Sequence, residues 1–374
     1  MENKNDATYS LLNIDSLEEI EKKFEMVQIL NHHGEVKDTS LETETGLSDE
    51  DLMEIMRRMI FTRQFAKQTN SYSQQGRMGF YASSLGQEAA MIASHYAFDK
   101  EDWLYGGYRD IPQLIMHGAS VADVYHWSLG HVKGSNFIAE KDIKATLPQI
   151  IIGAQMVQAQ GNALGQKLKG SKNVTFAYTG DGGTSEGDTY EALNFAGVFQ
   201  SPVVYFFQNN GYAISTPVEI QTHAKTLAQK AVAAGIPGVK VDGNDPLATY
   251  LVSKQARQYS ADGHGPVLIE LVTNRMEPHS TMGDDPMRYR DEASLEYWAE
   301  RDPIARFSKY LMDKDLFSPE LEEEYKEEAL EEIKGAMAEC ESVGKMDLLE
   351  TFKWQYEEMP LTLREQYEQL KGGE

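Results

Sequence analysis

Two short runs in the middle of the chain, Gly180-Asp181-Gly182-Gly183 and Asn209-Asn210-Gly211-Tyr212, combine glycines with hard oxygen donors. Glycine lets a backbone approach a bulky anion closely. An aspartate in such a turn repels a phosphate unless a divalent cation stands between them. With a cation present, a carboxylate oxygen of Asp181, a carboxamide oxygen of Asn210 and a main-chain carbonyl at Tyr212 are donors that suit Mg²⁺, and two diphosphate oxygens and a water would complete six ligands. Other phosphate-binding devices fail here. Counting from Gly180, the sixth residue is Ser185, so the dinucleotide fingerprint is broken, and no Gly-Lys-Ser/Thr loop occurs nearby. Either run alone would be an ordinary turn; the pairing is what suggests chemistry.

The elements needed to bring the two runs together are legible. Strand-like segments at Val174 to Tyr178, Val203 to Gln208, Val239 to Val241 and Val267 to Val272 alternate with helix-like segments at Ser185 to Val198 and Asp245 to Tyr259. This order predicts an α/β fold with a doubly wound, mainly parallel sheet, in which ligands bind at the carboxyl ends of the strands. Both runs follow strands, so adjacent strands would deliver them to one crevice, with the next helix presenting its N-terminus nearby. Upstream, Ser48-Asp49-Glu50-Asp51 reads as a capping box ahead of a buried stripe of Leu52, Ile55, Met56, Met59 and Ile60. Gly161 and Gly165 leave one helix face bare, which predicts close approach of another helix. Domain organisation reads as a helical extension over 1–46, the α/β domain over 47–301 and a helical segment packed on it over 302–374. His279 sits in the aperiodic stretch Asn274 to Glu292, too long to be a simple connection.

Composition narrows the function. The 374 residues carry 35 basic and 59 acidic side chains, a net charge of -24, which opposes binding to nucleic acid or an anionic membrane. No apolar run is long enough for a membrane span, and the acidic start lacks the features of a leader, so a cytoplasmic protein is expected. The single cysteine, Cys340, reads as an ordinary thiol.

Gly-Asp-Gly followed by Asn-Asn, with Asp181 and Asn210 29 positions apart (210 − 181), resembles the signature of thiamine-diphosphate enzymes. The similarity is greatest to alpha subunits of the first component of 2-oxo acid dehydrogenase complexes, and it runs from Phe24-Glu25 to Glu365-Gln366-Tyr367. Its most specific stretches are Gly76 to Ala82, Tyr108-Arg109-Asp110, Pro148 to Gln155, Ala213 to Pro217, Thr226 to Gly235 and Gly283 to Pro286.

The resemblance implies thiamine diphosphate and Mg²⁺ as cofactors. Tyr108 and Arg109 would contact the diphosphate, and the Gly180, Asp181, Gly182 and Gly183 turn would cradle it. Main chain around Ile150 and Ile152 would meet the aminopyrimidine, and Ile214 would prop the cofactor in its bent shape. His279 would donate a hydrogen bond or proton near the substrate oxygen, with Tyr289 and Arg290 of the same loop in the catalytic group and Arg290 helping to place the loop. Asp188 and Glu191, three apart on one helix, correspond to acids that relay protons between two cofactor sites; otherwise they simply complement the helix dipole.

The acid that activates the aminopyrimidine would come from a beta subunit, in a heterotetramer of two alpha and two beta chains. The assembly would act on a 2-oxo acid and pass the acyl group to a lipoylated dihydrolipoyl acyltransferase core. Pyruvate is the expected substrate. Branched-chain 2-oxo acids are the alternative, because Met276 and Glu277 replace the Tyr and Gly of pyruvate members, Asn274 replaces an aromatic residue, and Ser185-Glu186-Gly187-Asp188 and Asn210-Gly211-Tyr212 are more similar to the branched-chain enzymes. A chain that anchors the cofactor without turnover is the remaining reading.

Overall fold

The central strands have sequences such as VVYFFQN and VLIELV, rich in β-branched and aromatic residues and apolar on both faces, as strands covered on both sides must be. In the computed structural model, which describes residues 19, 22–344, 346–353 and 355–372, they form a six-stranded, all-parallel sheet. The strands are β1 (Met26–Val27), β2 (Trp103–Tyr105), β3 (Thr175–Gly180), β4 (Val203–Asn209), β7 (Gly238–Asp242) and β8 (Val267–Val272), ordered β1-β7-β8-β4-β3-β2. A separate two-stranded hairpin joins β5 (Tyr212–Ala213) to β6 (Thr216–Pro217). The expected α/β fold with a doubly wound parallel sheet is the one found. No helix among the described residues is long and apolar enough to cross a membrane.

Strand alternation divides the core in two. Phe176, Tyr178, Val204 and Phe206 point to one face, against the helices Asp49–Gln74, Glu88–Tyr96 and Pro246–Ala261. Ala177, Val203, Tyr205 and Phe207 point to the other, against Ala154–Leu168 and Gly187–Phe199. Tyr178 stacks on Phe206 with ring centroids 4.5 Å apart, which locks β3 and β4 into the register that pairs Gly180 with Gln208. That register sets the two candidate loops side by side.

The capping box at Ser48 forms in full, and its predicted stripe is buried. The helices Pro303–Asp313 and Pro319–Ser342 pack on the same Asp49–Gln74 helix. Cys340 is buried, free and bonded through Sγ to the Ala122 carbonyl. Asp245 caps the Pro246–Ala261 helix through Leu247 and Ala248, while its other oxygen accepts from Ile29 and Leu30 at 2.6 Å each. One buried carboxylate thereby ties the N-terminal edge strand to the body of the sheet.

Three details differ from the sequence reading. Within the described part of 1–46, Met26–Val27 is an edge strand rather than helix; two residues are too few to show a period. The helix after the Gly-Asp-Gly turn begins at Gly187, because Gly182–Ser185 is a tight 3-10 turn and Glu186 is extended at φ −74° and ψ 141°. Finally, a side chain at Gly161 or Gly165 would meet nothing within 4 Å, so among the described residues no neighbour packs on these two glycines.

Candidate active site

The carboxyl ends of β2, β3, β4 and β8 open onto one cavity of ≈ 220 Å³. Tyr108 and Arg109 enter it from the loop after β2, Gly180 to Gly183 from the end of β3, Asn210, Tyr212 and Ile214 from beyond β4, and His279 from the loop after β8. Ile152 also lines it; Ile150, Asp188, Glu191, Tyr289 and Arg290 do not. Asp188 and Glu191 are exposed on the helix Gly187–Phe199.

Asp181 is 1% exposed, and burial pushes its carboxyl above the usual range, against hydrogen bonds from Gln221 and main-chain amides including that of Asn210. A buried carboxylate that resists ionisation is one a cation would stabilise. The Oδ1 of Asn210 accepts only a long bond, 3.3 Å from the Tyr212 amide. A β-carbon on Gly182 would lie 2.8 Å from Ala213, and one on Gly183 would collide with Thr179, so both positions require glycine. Among the described residues no group of three or more His, Cys, Asp or Glu side chains converges. One carboxylate, one carboxamide and a carbonyl therefore fit a hard cation only if the ligand's own oxygens share it.

Arg109 and Arg275 bring positive charge to the cavity of this acidic chain. The Arg109 Nη1 donates to the Ser83 carbonyl at 2.5 Å, and its Nη2 to the His279 carbonyl at 3.0 Å. His279 Nδ1 lies 3.2 Å from both Arg109 Nη2 and Arg275 Nη1. Burial, followed by these two guanidinium groups, lowers the His279 pKa to about 4. An imidazole whose Nδ1 faces two permanent donors is neutral and carries its proton on Nε2.

Ile214 has φ 58°, a left-handed conformation that costs a β-branched residue energy, and it is 54% exposed. Its carbonyl accepts from Arg275 Nη2 at 2.7 Å. By itself the side chain reads as core; the fold instead holds it, strained, at the cavity wall. Ile150, Ile151 and Ile152 are likewise exposed, at 63%, 72% and 41%.

A model of the family described as the dehydrogenase E1 component matches residues 56–348. The chain belongs to the dehydrogenase E1 component family. A Bacillus cereus relative named pyruvate dehydrogenase E1 component subunit alpha is 48% identical over 366 residues, which is 98% of this chain and 98% of its own. Relatives with the same name from Staphylococcus aureus strain Mu50 and Staphylococcus epidermidis strain ATCC 12228 are 46% and 47% identical, each over 358 residues and 96% of both chains. The E1 family generally depends on thiamine diphosphate.

Several residues of this E1 chain's site escape sequence reasoning. Arg275 is fully buried and braces the loop, reaching His279, Ile214 and the Tyr289 hydroxyl, the last at 3.0 Å. Asp284 accepts from the His279 amide at 2.6 Å and the Tyr289 hydroxyl at 2.7 Å. Tyr289 is thus a strut of the loop, while Arg290 is buried over the rings of Tyr212 and Tyr289 with no hydrogen-bond partner among the described residues. Gln87, Gln155 and Gln208 line the cavity, each with one unpartnered amide atom. Glu186 adds a third acid to the lining, beside Asp110 and Asp181. A charge three residues beyond the last residue of an apolar strand was the only available signal for Arg275; isolated glutamines carried none.

Proposed function

We propose that the chain is the alpha subunit of a 2-oxo acid dehydrogenase first component, which with a beta subunit decarboxylates pyruvate and transfers the acyl group to a lipoylated acyltransferase. The observation that carries this is the convergence of Asp181, Asn210, Arg109 and His279, from four strand ends, on one cavity. The names of the 46–48% identical relatives support pyruvate and the alpha role.

Bound thiamine diphosphate would supply a nucleophilic carbon that adds to the 2-oxo group and accepts the electrons released with CO₂. The protein's part is placement and charge. Asp181, Asn210 and the Tyr212 carbonyl would hold Mg²⁺ against the diphosphate, and Arg109 would balance its remaining charge. Ile214 would set the cofactor's bend. Neutral His279 would direct its Nε2 proton at the substrate oxygen where negative charge develops.

The exposed Ile150, Ile151, Ile152 and Ile214 beside the cavity, together with Tyr190, Phe195, Val198 and Phe199 on the helix Gly187–Phe199, form apolar surface of the kind a second chain covers. That surface supports a cofactor shared with the beta subunit. Of the departures from the pyruvate pattern, Asn274, Met276 and Glu277 do not line the cavity: the Asn274 carbonyl and the Met276 side chain abut Gly86, and Glu277 accepts from Asn70, whereas Glu186, Asn210 and Tyr212 do line it. The names of the relatives are what favours pyruvate over a branched-chain acid.

Co-purification with the beta chain, followed by steady-state assays of CO₂ release, tests the reading. The expected result is a higher kcat/KM for pyruvate than for 3-methyl-2-oxobutanoate, and no turnover by the alpha chain alone. The reverse preference, or robust turnover by the single chain, contradicts it.

A further inference from the structure

Gln221 ends the short helix Val218–Gln221 that follows the β5–β6 hairpin, and its side chain reaches back to the buried carboxylate. Its Nε2 donates to Asp181 Oδ2 at 2.6 Å and to the Thr216 carbonyl at 3.0 Å. Both partners are acceptors, so both amide hydrogens are used and the orientation of the carboxamide is fixed by chemistry: the opposite flip would set an oxygen against a carboxylate. Among the described residues, no other side chain hydrogen-bonds the Asp181 carboxylate. The Gln221 Oε1 is left buried and without a donor. A buried amide oxygen without a partner is costly, and here it belongs to the residue that grips the candidate cation ligand.

We infer that Gln221 is the positioning residue of this site: its Nε2 holds Asp181 Oδ2 and so sets the direction in which the carboxylate meets the cation. The assignment rests on the metal-bridged reading of the cavity. It explains why the Val218–Gln221 turn follows the hairpin so closely. Tyr212 and Ile214 lie in the cavity wall, and the same excursion of chain returns Gln221 to Asp181. Outer partners of metal ligands set ligand orientation, and losing one typically weakens metal binding by roughly 10–100-fold.

The test uses the assembled alpha/beta enzyme with thiamine diphosphate and Mn²⁺, whose free ion is counted by electron paramagnetic resonance. Gln221→Met removes both amide functions at similar length, and Gln221→Asn keeps the amide but shortens its reach. Each is expected to raise the Mn²⁺ Kd by roughly 10–100-fold while the melting temperature of the cofactor-free enzyme stays at the wild-type value. Turnover lost at limiting Mn²⁺ should return with excess Mn²⁺, which a packing defect would not show. If either folded variant keeps the wild-type Mn²⁺ affinity while the wild type requires metal, the role of Gln221 is wrong. If the wild type itself binds the cofactor equally well without metal, the metal-bridged reading of the site fails as well.

Discussion

Arg109 and His279 are 170 positions apart in sequence, yet Arg109 Nη2 lies 3.2 Å from the His279 ring Nδ1 and donates to the His279 carbonyl at 3.0 Å. A residue after β2 thus determines both the backbone position and the tautomer of a residue in the loop after β8. The cation assigned to the diphosphate and the imidazole assigned to the substrate are parts of one contact.

This contact sets the pH behaviour of the site. The His279 pKa is lowered from 6.5 to about 4, first by burial and then by Arg109 and Arg275. For a depressed pKa, the stability associated with the neutral form is intact above pH 6.5 and is lost as pH falls through about 4. NMR titration of the cofactor-free protein should show His279 neutral across this window. Arg275→Leu should move the midpoint upward, because one of the two cations is gone. A wild-type midpoint near 6.5 would refute the tautomer and the donor role built on it.

Ile214 is strained and half-exposed, so its type is not explained by folding. Ile214→Asn, with a side chain that tolerates the left-handed region, should leave thermal stability unchanged or raise it by about 1 kcal/mol. Turnover should nevertheless fall at least tenfold, because the bulk at the cavity wall is lost. Loss of stability with normal turnover would return Ile214 to an ordinary packing role.

Asp245 serves four main-chain amides. Asp245→Ala removes a helix cap, worth about 1 kcal/mol, and strands two buried amides at about 1–3 kcal/mol each, so chemical denaturation should show a loss of about 3–7 kcal/mol. Burial, then Asp242, pushes the carboxyl up to about 6 from 3.8. A raised pKa contributes stability that is full below 3.8 and lost as pH rises through about 6. Asp245→Asn, which cannot ionise, should therefore gain stability relative to the wild type across that interval. Parallel pH profiles would show that the carboxyl is not perturbed.

How far the sequence reached follows from the length and regularity of each signal. β8 was read to the residue because Val267–Val272 is an unbroken apolar run between turns, and Asp181 and Asn210 were paired because each follows such a run. The strand at Met26–Val27 has two residues, too short for any periodicity. Glu186 was hidden because a 3-10 turn and a helix have similar local patterns, and only the extended backbone between them turns the side chain toward the cavity. Arg275, Gln221 and the cavity glutamines act through contacts between distant segments, which no local pattern records. Tyr289 was placed beside His279 on resemblance alone, and the contacts of its hydroxyl with Arg275 and Asp284 are ones no local pattern records.

The central claim is that a cation held by Asp181 and Asn210 carries the diphosphate, and calorimetric titration of thiamine diphosphate into the alpha/beta assembly tests it most directly. Binding should be strong with Mg²⁺ and lost on chelation. Asp181→Asn should weaken it by more than the roughly 10–100-fold typical of an outer-shell partner, since a direct ligand is removed. Equal affinity with and without Mg²⁺, or an Asp181→Asn variant that binds like the wild type, would contradict the account.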